Sequence, residues 1–158
     1  MKGAKSHELD VALPAGELWG IYGTLRLAEL AVELLPDVIA KTVVEEGDGG
    51  TGSLVRVVYP AGSPGPSYHT EKFVKIDDEQ MLKEVVVVEG GMLDLGFRSF
   101  LFRFEVIEKT GSSCTVKSSI EYELDEEHAA NEAYATTDAL AAIVEAVSKH
   151  LLEKKTGA

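Results

Sequence analysis

The stretch MLKEVVVVEGG, residues 81–91, places a lysine just ahead of four consecutive valines. A run of β-branched residues of this length is typical of a strand that is buried on at least one face. Lys83 beside it points either to water or into an apolar interior, where an ammonium group is costly unless a partner or substrate uses it. The direction of the Lys83 side chain decides whether this protein has a catalytic site.

Alternating apolar and polar residues predict further strands on both sides of this stretch. The predicted strands are residues 7–13, 38–45, 54–59, 68–76, 81–89, 98–106 and 114–124. In the sixth of these, the predicted inward set is Arg98, Phe100, Phe102, Phe104 and Val106.

Helical patterns lie between the first two strands and at the C-terminal end. Pro14 opens a short helix, and a second short helix over 25–35 stops at Pro36. One long helix is predicted from Glu126 to Lys154, with Asp125 as its N-cap. Its inward face is rich in small residues, so it need not fill the space beneath it.

This order of elements predicts an α+β fold in a single domain over residues 1–158. Seven antiparallel strands would form a curved sheet around the long C-terminal helix, with the two short helices beside it. A sheet wrapped about a helix with a small-residue face leaves an internal cavity. Such concave, mostly apolar cavities are the usual sites for small ligands.

Composition narrows the classes of partner. The formal net charge is −12, which disfavours binding to nucleic acids and to anionic membranes but attracts a cationic amine. The N-terminus lacks the apolar centre of a signal peptide, and no apolar stretch approaches the roughly 18 residues of a membrane span. A single cysteine, Cys114, forms no intrachain disulfide, so a cytoplasmic location is expected.

The glycine-rich loop EEGDGGTGS, residues 45–53, invites comparison with phosphate-binding loops. It has no Gly-Lys-Ser/Thr ending, and strands flank it on both sides, whereas a phosphate loop joins a strand to a helix. The hairpin interpretation is therefore favoured. No His/Cys spacing typical of a metal site is found in the sequence.

Three stretches, together with the GDGGTGS loop and the amphipathic C-terminal helix, resemble a known family. They are MKGAKSHELDV, YHTEKFVKID and LKEVVVVEGGMLDLG. The chain resembles the plant Bet v 1 or pathogenesis-related class 10 family over nearly its whole length, and within it the norcoclaurine synthase branch. The resemblance implies the helix-grip form of the fold predicted above.

The resemblance also implies an activity that needs no cofactor. Members of this branch condense an arylethylamine with an aromatic aldehyde, and the amaryllis alkaloid members are expected to join tyramine with 3,4-dihydroxybenzaldehyde as an imine. A separate reductant such as NADPH, and with it a possible reductase partner, would then reduce the imine. Two alternatives stay open: a Pictet–Spengler condensation of dopamine with an aromatic aldehyde, and a non-catalytic carrier of aromatic ligands.

The family's catalytic residues fall on this sequence with two departures. Its lysine falls on Lys83 and its glutamate on Glu71. Its tyrosine falls on His69, with Tyr68 adjacent, and its aspartate falls on Phe102. Loss of the aspartate puts ring closure in doubt and suits an enzyme that stops at the imine.

Amine–aldehyde chemistry gives these residues their predicted roles. Lys83 would protonate and later expel the carbonyl oxygen, while Glu71 would accept a proton from the amine. Tyr68 would hold a phenol or carbonyl by hydrogen bond. The predicted substrate-binding residues are Tyr59, His69, Phe73 and Phe102, whose rings would align two planar substrates.

Each of these residues also has an ordinary structural interpretation. A strand lysine is usually solvated, Glu71 beside Lys72 fits a surface ion pair, and His69 fits an exposed strand histidine. Strand register adds a difficulty. Across an even-residue turn, Glu71 and Lys83 lie on opposite faces, and they share a face only if the turn is odd or a bulge intervenes.

Overall fold

The computed structural model describes residues 1–157 and contains seven strands, three α-helices and two 3₁₀ segments. The strands are β1 Lys2–Val11, β2 Lys41–Glu46, β3 Leu54–Val58, β4 Tyr68–Asp77, β5 Leu82–Gly90, β6 Phe97–Thr110 and β7 Ser113–Leu124. The helices are α1 Ala15–Tyr22, α2 Arg26–Leu34 and α3 Asp138–Lys155, and the 3₁₀ segments are Gly91–Leu95 and Glu126–Tyr134.

The seven strands form one antiparallel sheet in the order β1-β7-β6-β5-β4-β3-β2. Helix α3 packs against β1, β7 and α2, so it lies across the inner face of the sheet. The predicted α+β architecture is confirmed, and the glycine-rich loop is the hairpin connection between β2 and β3. In residues 1–157, no helix has the length and apolar character needed to cross a membrane.

The inner face of β7 follows the predicted alternation without interruption. Its inward residues, from Cys114 to Leu124 in steps of two, are all buried. Burial raises the pKa of the Cys114 thiol, as expected for an inert core cysteine. The strand therefore supplies a buried floor on the inner face of the sheet that is apolar except at Ser118.

The predicted inward direction of Arg98 is wrong. The pairing of β6 with β7 shifts register between Phe97 and Ser99, so Arg98 occupies a bulge. Its guanidinium lies outside and binds the carboxylate of Asp125. Phe97 and Phe100 are buried in its place, because the bulge lets residues three positions apart share the inner face.

The predicted long C-terminal helix is confirmed as α3, Asp138–Lys155, but its predicted extension over residues 126–137 is wrong. None of residues 126–134 is buried, and hydrogen bonds tie this segment down: Tyr122 Oη donates to Glu132 at 2.8 Å, and Asn131 donates to the Leu95 carbonyl at 2.8 Å. The buried Ala135 leaves the helical conformation, and its carbonyl accepts a bond from Lys5 Nζ at 2.5 Å. Apolar packing resumes only in α3.

Candidate active site

A cavity of about 350 Å³ lies between the inner face of the sheet, α2 and α3. Its wall is mostly apolar and comes from β3 to β6, the two helices and the 60–67 loop. Small-molecule sites in proteins have volumes of roughly 300–1,000 Å³, so a cavity of this size holds small ligands. Five titratable residues line it: Tyr59, His69, Glu71, Lys83 and Tyr134.

Lys83 points into this cavity, and its side chain is only 2% exposed. Burial lowers the pKa of its ammonium group from 10.5 to about 8, and attraction to Glu71 offsets part of that effect. Its Nζ lies 4.0 Å from the centre of the Phe73 ring, a cation–π contact. Among residues 1–157, no carboxylate lies within 4.0 Å of this ammonium. The ordinary interpretation of a solvated strand lysine is therefore excluded, and Lys83 lies inside the cavity as its predicted catalytic role requires.

A bulge brings Glu71 to the same face as Lys83. The β4–β5 turn has Asp77 paired with Leu82, which leaves an even loop of residues 78–81. The register then shifts at Val74, so Glu71 pairs with Val87 and lies on the cavity side. The bulged Val74 is exposed, as is Val88 at a second shift.

Glu71 belongs to a chain of three side chains joined by two short hydrogen bonds. Its Oε1 lies 2.7 Å from Nε2 of His69, and Nδ1 of His69 lies 2.6 Å from the hydroxyl of Tyr59. His69 is 5% exposed, so the prediction of an exposed strand histidine is wrong. Burial raises the pKa of the Tyr59 phenol well above its usual value, and the Glu71 charge adds to this effect.

Tyr68 lies outside this constellation. It occupies the opposite face of β4, where its hydroxyl donates to Glu89 at 3.0 Å and its ring lies under the guanidinium of Arg56. It takes no part in lining the cavity, which contradicts its predicted role in holding a substrate. The reason is strand alternation, because residues 68 and 71 are three positions apart in β4 and the extra residue of the nearby register shift, Val88, lies in β5.

The aromatic side chains predicted as substrate walls do line the cavity. Phe73 lies beneath Lys83, and Phe102 stacks on His69 with ring centres 6.0 Å apart. Tyr59 meets His69 edge-on at 5.6 Å. Phe102 fills with an apolar ring the position where the family resemblance implies an acid, so this wall offers no proton.

Sequence reasoning missed several parts of the lining. Helices α2 and α3 contribute apolar side chains, including Leu27 and Ile143, and Tyr134 closes over the 60–67 loop. A further group of potential metal ligands, Asp125, Glu127 and His128, lies at the surface and takes no part in the cavity.

The buried ammonium gives stability a defined pH dependence. Between about pH 8 and 10.5, the unfolded chain binds more protons at Lys83 than the folded protein does, so the free energy of unfolding rises with pH. A pKa difference of this size corresponds to roughly 3 kcal/mol. Urea unfolding of wild type and Lys83→Met across this range is expected to show the rise only in wild type, and parallel curves would contradict the burial of a charge.

The sequence matches the model of the pathogenesis-related protein Bet v 1 family over residues 3–154. Norbelladine synthase of Narcissus pseudonarcissus is 61% identical over 156 residues, which cover 99% of this chain and 96% of that protein. S-norcoclaurine synthase 2 of Papaver somniferum is 40% identical over 151 residues, which cover 94% of this chain and 65% of that protein.

Solved structures of a norcoclaurine synthase are similar to this chain in fold. A point mutant of Thalictrum flavum norcoclaurine synthase in complex with a transition-state analogue has a TM-score of 0.90 and 37% identity, covering 98% of this chain and 97% of that one. The same enzyme with dopamine and hydroxybenzaldehyde has a TM-score of 0.87 and 36% identity, covering 97% and 88%. The resemblance predicted from the sequence is confirmed, and the chain belongs to the Bet v 1 family.

Proposed function

We propose that this protein condenses tyramine with 3,4-dihydroxybenzaldehyde to an imine, without a cofactor, on the path to norbelladine. The observation that carries the proposal is a buried lysine with a pKa of about 8, which shares an apolar cavity with a carboxylate. The similarity to a norbelladine synthase supports the choice of substrates. The net charge of −12 favours the approach of a cationic amine.

Imine formation needs three proton movements. The amine must be neutral to attack, the carbonyl oxygen must gain a proton, and the carbinolamine hydroxyl must leave as water. Lys83, with its pKa near the working range, donates a proton to the oxygen and assists its departure. Glu71 and the groups hydrogen-bonded to it accept the proton of the amine.

Positioning supplies the rest of the rate gain. Phe73 and Phe102 offer flat apolar surfaces on which two planar substrates stack. Holding both reactants in one cavity converts a bimolecular reaction into an effectively unimolecular one.

Phe102 favours a reaction that stops at the imine. A phenylalanine can neither take nor give a proton, so the proton loss that restores aromaticity after ring closure has no acceptor at this position. Reduction of the imine then falls to a separate reductant of the NADPH class, supplied by a reductase. With dopamine in place of tyramine, we expect imine but no cyclised product.

The test supplies tyramine and 3,4-dihydroxybenzaldehyde with cyanoborohydride and follows the reduced amine by mass spectrometry. We expect faster product formation with protein than without it, and with dopamine a reduced imine instead of a cyclised amine. A protein that binds tyramine but leaves the uncatalysed rate unchanged would be a carrier. Cyclised dopamine product would instead establish Pictet–Spengler activity.

Reductive trapping also separates two roles for Lys83. Borohydride added with aldehyde alone would fix a Schiff base between the lysine and the aldehyde. Because Lys83 is proposed as an acid, we expect no change in the intact mass of Lys83 peptides. A covalent adduct on Lys83 would replace acid catalysis by covalent catalysis.

A further inference from the structure

The chain of hydrogen bonds from Tyr59 through His69 to Glu71 has a direction that assigns each group a task. Resting on the proposed function, we infer that His69 is the proton acceptor of the site. It receives the amine's proton at Nδ1 through the hydroxyl of Tyr59, while Glu71 supplies the balancing negative charge. The base of the reaction is then a three-residue unit, and Glu71 is its charged end.

The direction follows from which groups hold protons. The phenol of Tyr59 is protonated, since burial disfavours its phenolate, so it donates to Nδ1 of His69 at 2.6 Å. A neutral imidazole with a free lone pair on Nδ1 carries its proton on Nε2. That Nε2–H donates to the ionised Glu71 carboxylate at 2.7 Å. Both ring nitrogens are thereby satisfied in a single tautomer.

Packing holds the imidazole in this position. Phe102 stacks on one side of the ring. Gly91, at φ +55°, lies so close on another side that an added Cβ would come within 2.7 Å of the His69 Cβ. With the ring only 5% exposed, the two hydrogen bonds decide its orientation.

When an ammonium substrate reaches Tyr59, one net proton is transferred from the substrate nitrogen to His69 through the tyrosine hydroxyl. A substrate N–H bond breaks as its proton passes to the free lone pair of the Tyr59 oxygen, and the original Tyr59 proton passes to Nδ1 of His69. The products are a neutral amine, an intact phenol and an imidazolium that faces the Glu71 carboxylate. The amine lone pair then attacks the aldehyde carbon while Lys83 protonates the oxygen. The attached nitrogen gives a proton back to Lys83, and the imidazolium returns its proton through Tyr59 to the carbinolamine hydroxyl, which leaves as water to give the protonated imine.

The charged groups around the imidazole suit this role. Glu71, in the same strand, stabilises the imidazolium directly. Lys83 from β5 faces Glu71 and carries the other proton of the reaction. Phe102 from β6 and Gly91 from the 3₁₀ segment are uncharged. A positive charge on His69 is thus balanced by one carboxylate within hydrogen-bond distance.

The first test compares Tyr59→Phe with Tyr68→Phe, the same chemical change inside and outside the cavity. Loss of the relay is expected to lower kcat roughly 10²-fold with little change in KM, because general acid–base catalysis contributes about 10²–10⁴-fold. Tyr68→Phe should keep the wild-type rate. The acid limb of the residual Tyr59→Phe activity should move to lower pH, since a carboxylic acid loses its proton at lower pH than an imidazolium.

Wild-type kcat and an unchanged acid limb in Tyr59→Phe would overturn the relay and leave Glu71 as the direct base. A condensation assay with no activity in wild type would instead refute the proposed function. The two failures are thus told apart by which protein is inactive. A folding defect in Tyr59→Phe would show as a lower unfolding midpoint than that of Tyr68→Phe.

The second test needs no substrate. Nitrogen NMR of wild-type protein labelled with ¹⁵N-histidine reads which ring nitrogen carries a proton, and His69→Gln identifies the signal. We expect the neutral His69 ring to be protonated on Nε2 with a hydrogen-bonded lone pair on Nδ1. A ring protonated on Nδ1 would overturn the assignment whether or not the protein condenses amines.

Discussion

Replacement of Lys83 by methionine is expected to lower kcat for imine formation by about 10²–10⁴-fold, the range that general acid catalysis supplies. Methionine has nearly the length of lysine and places an apolar thioether over the Phe73 ring, where the ammonium now lies at 4.0 Å. The cavity therefore keeps its shape while it loses its acid. Initial rates with trapped imine, after subtraction of the uncatalysed reaction, measure this effect.

The same substitution is expected to stabilise the fold. At pH 7 the lysine is charged inside an apolar cavity, and its lowered pKa corresponds to roughly 3 kcal/mol of lost stability. Urea unfolding should show Lys83→Met to be more stable than wild type by up to this amount. Lys75→Met, at an exposed position in β4, is the matched control and should change neither rate nor stability much. A variant that is both less stable and fully active would contradict the account.

Replacement of Glu71 by glutamine is expected to have the second large effect, a fall in kcat of about 10²-fold. Glutamine keeps the size of the side chain and still offers its oxygen to Nε2 of His69, now bonded at 2.7 Å. It removes the negative charge, so an imidazolium or an accepted proton has nothing to balance it.

Glu71→Gln should also displace the alkaline limb of the pH–rate profile. Attraction to Glu71 raises the pKa of Lys83 and offsets part of the effect of burial. Without this charge, the pKa of Lys83 falls below about 8, so activity should be lost at a lower pH than in wild type. Glu89→Gln, on the outer face with Tyr68, is the control. An unshifted limb would show that Glu71 and Lys83 are electrostatically independent.

The sheet could be predicted from the sequence because its alternation is nearly unbroken. All seven predicted strands are confirmed, with ends that differ from the predicted ones by up to five residues, because a half-buried strand alternates apolar and polar residues. The errors lie at bulges. The alternation of residues 98–106 predicts an inward Arg98, but the register shift beside Arg98 turns its side chain outward.

The sequence raises the question of whether Glu71 and Lys83 lie on the same face of the sheet, but it does not answer it. The residues around Val74 do not distinguish a bulged valine from a paired one. The exposure of Val74 is set by the tertiary structure. The buried position of His69 was within reach, because residues 69 and 71 are two apart and share a face.

The C-terminal helix shows that local sequence can also predict a helix where the fold does not continue one. Local propensity over 126–134 favours a helix, but this segment is tied by polar bonds to β7 and to the Gly91–Leu95 segment and buries no side chain. At the break, the Ala135 carbonyl accepts a bond from Lys5, which is far away in sequence. A contact of this kind leaves no periodic signal in the local sequence.

The measurement that tests the central claim most directly is the pH dependence of kcat for wild-type protein, with both substrates saturating and the uncatalysed rate subtracted. The account predicts an alkaline limb in which the rate declines above about pH 8, as Lys83 loses its proton. A rate that stays level or climbs up to pH 10.5, the ordinary pKa of a lysine, would show that no buried ammonium of lowered pKa takes part in the reaction.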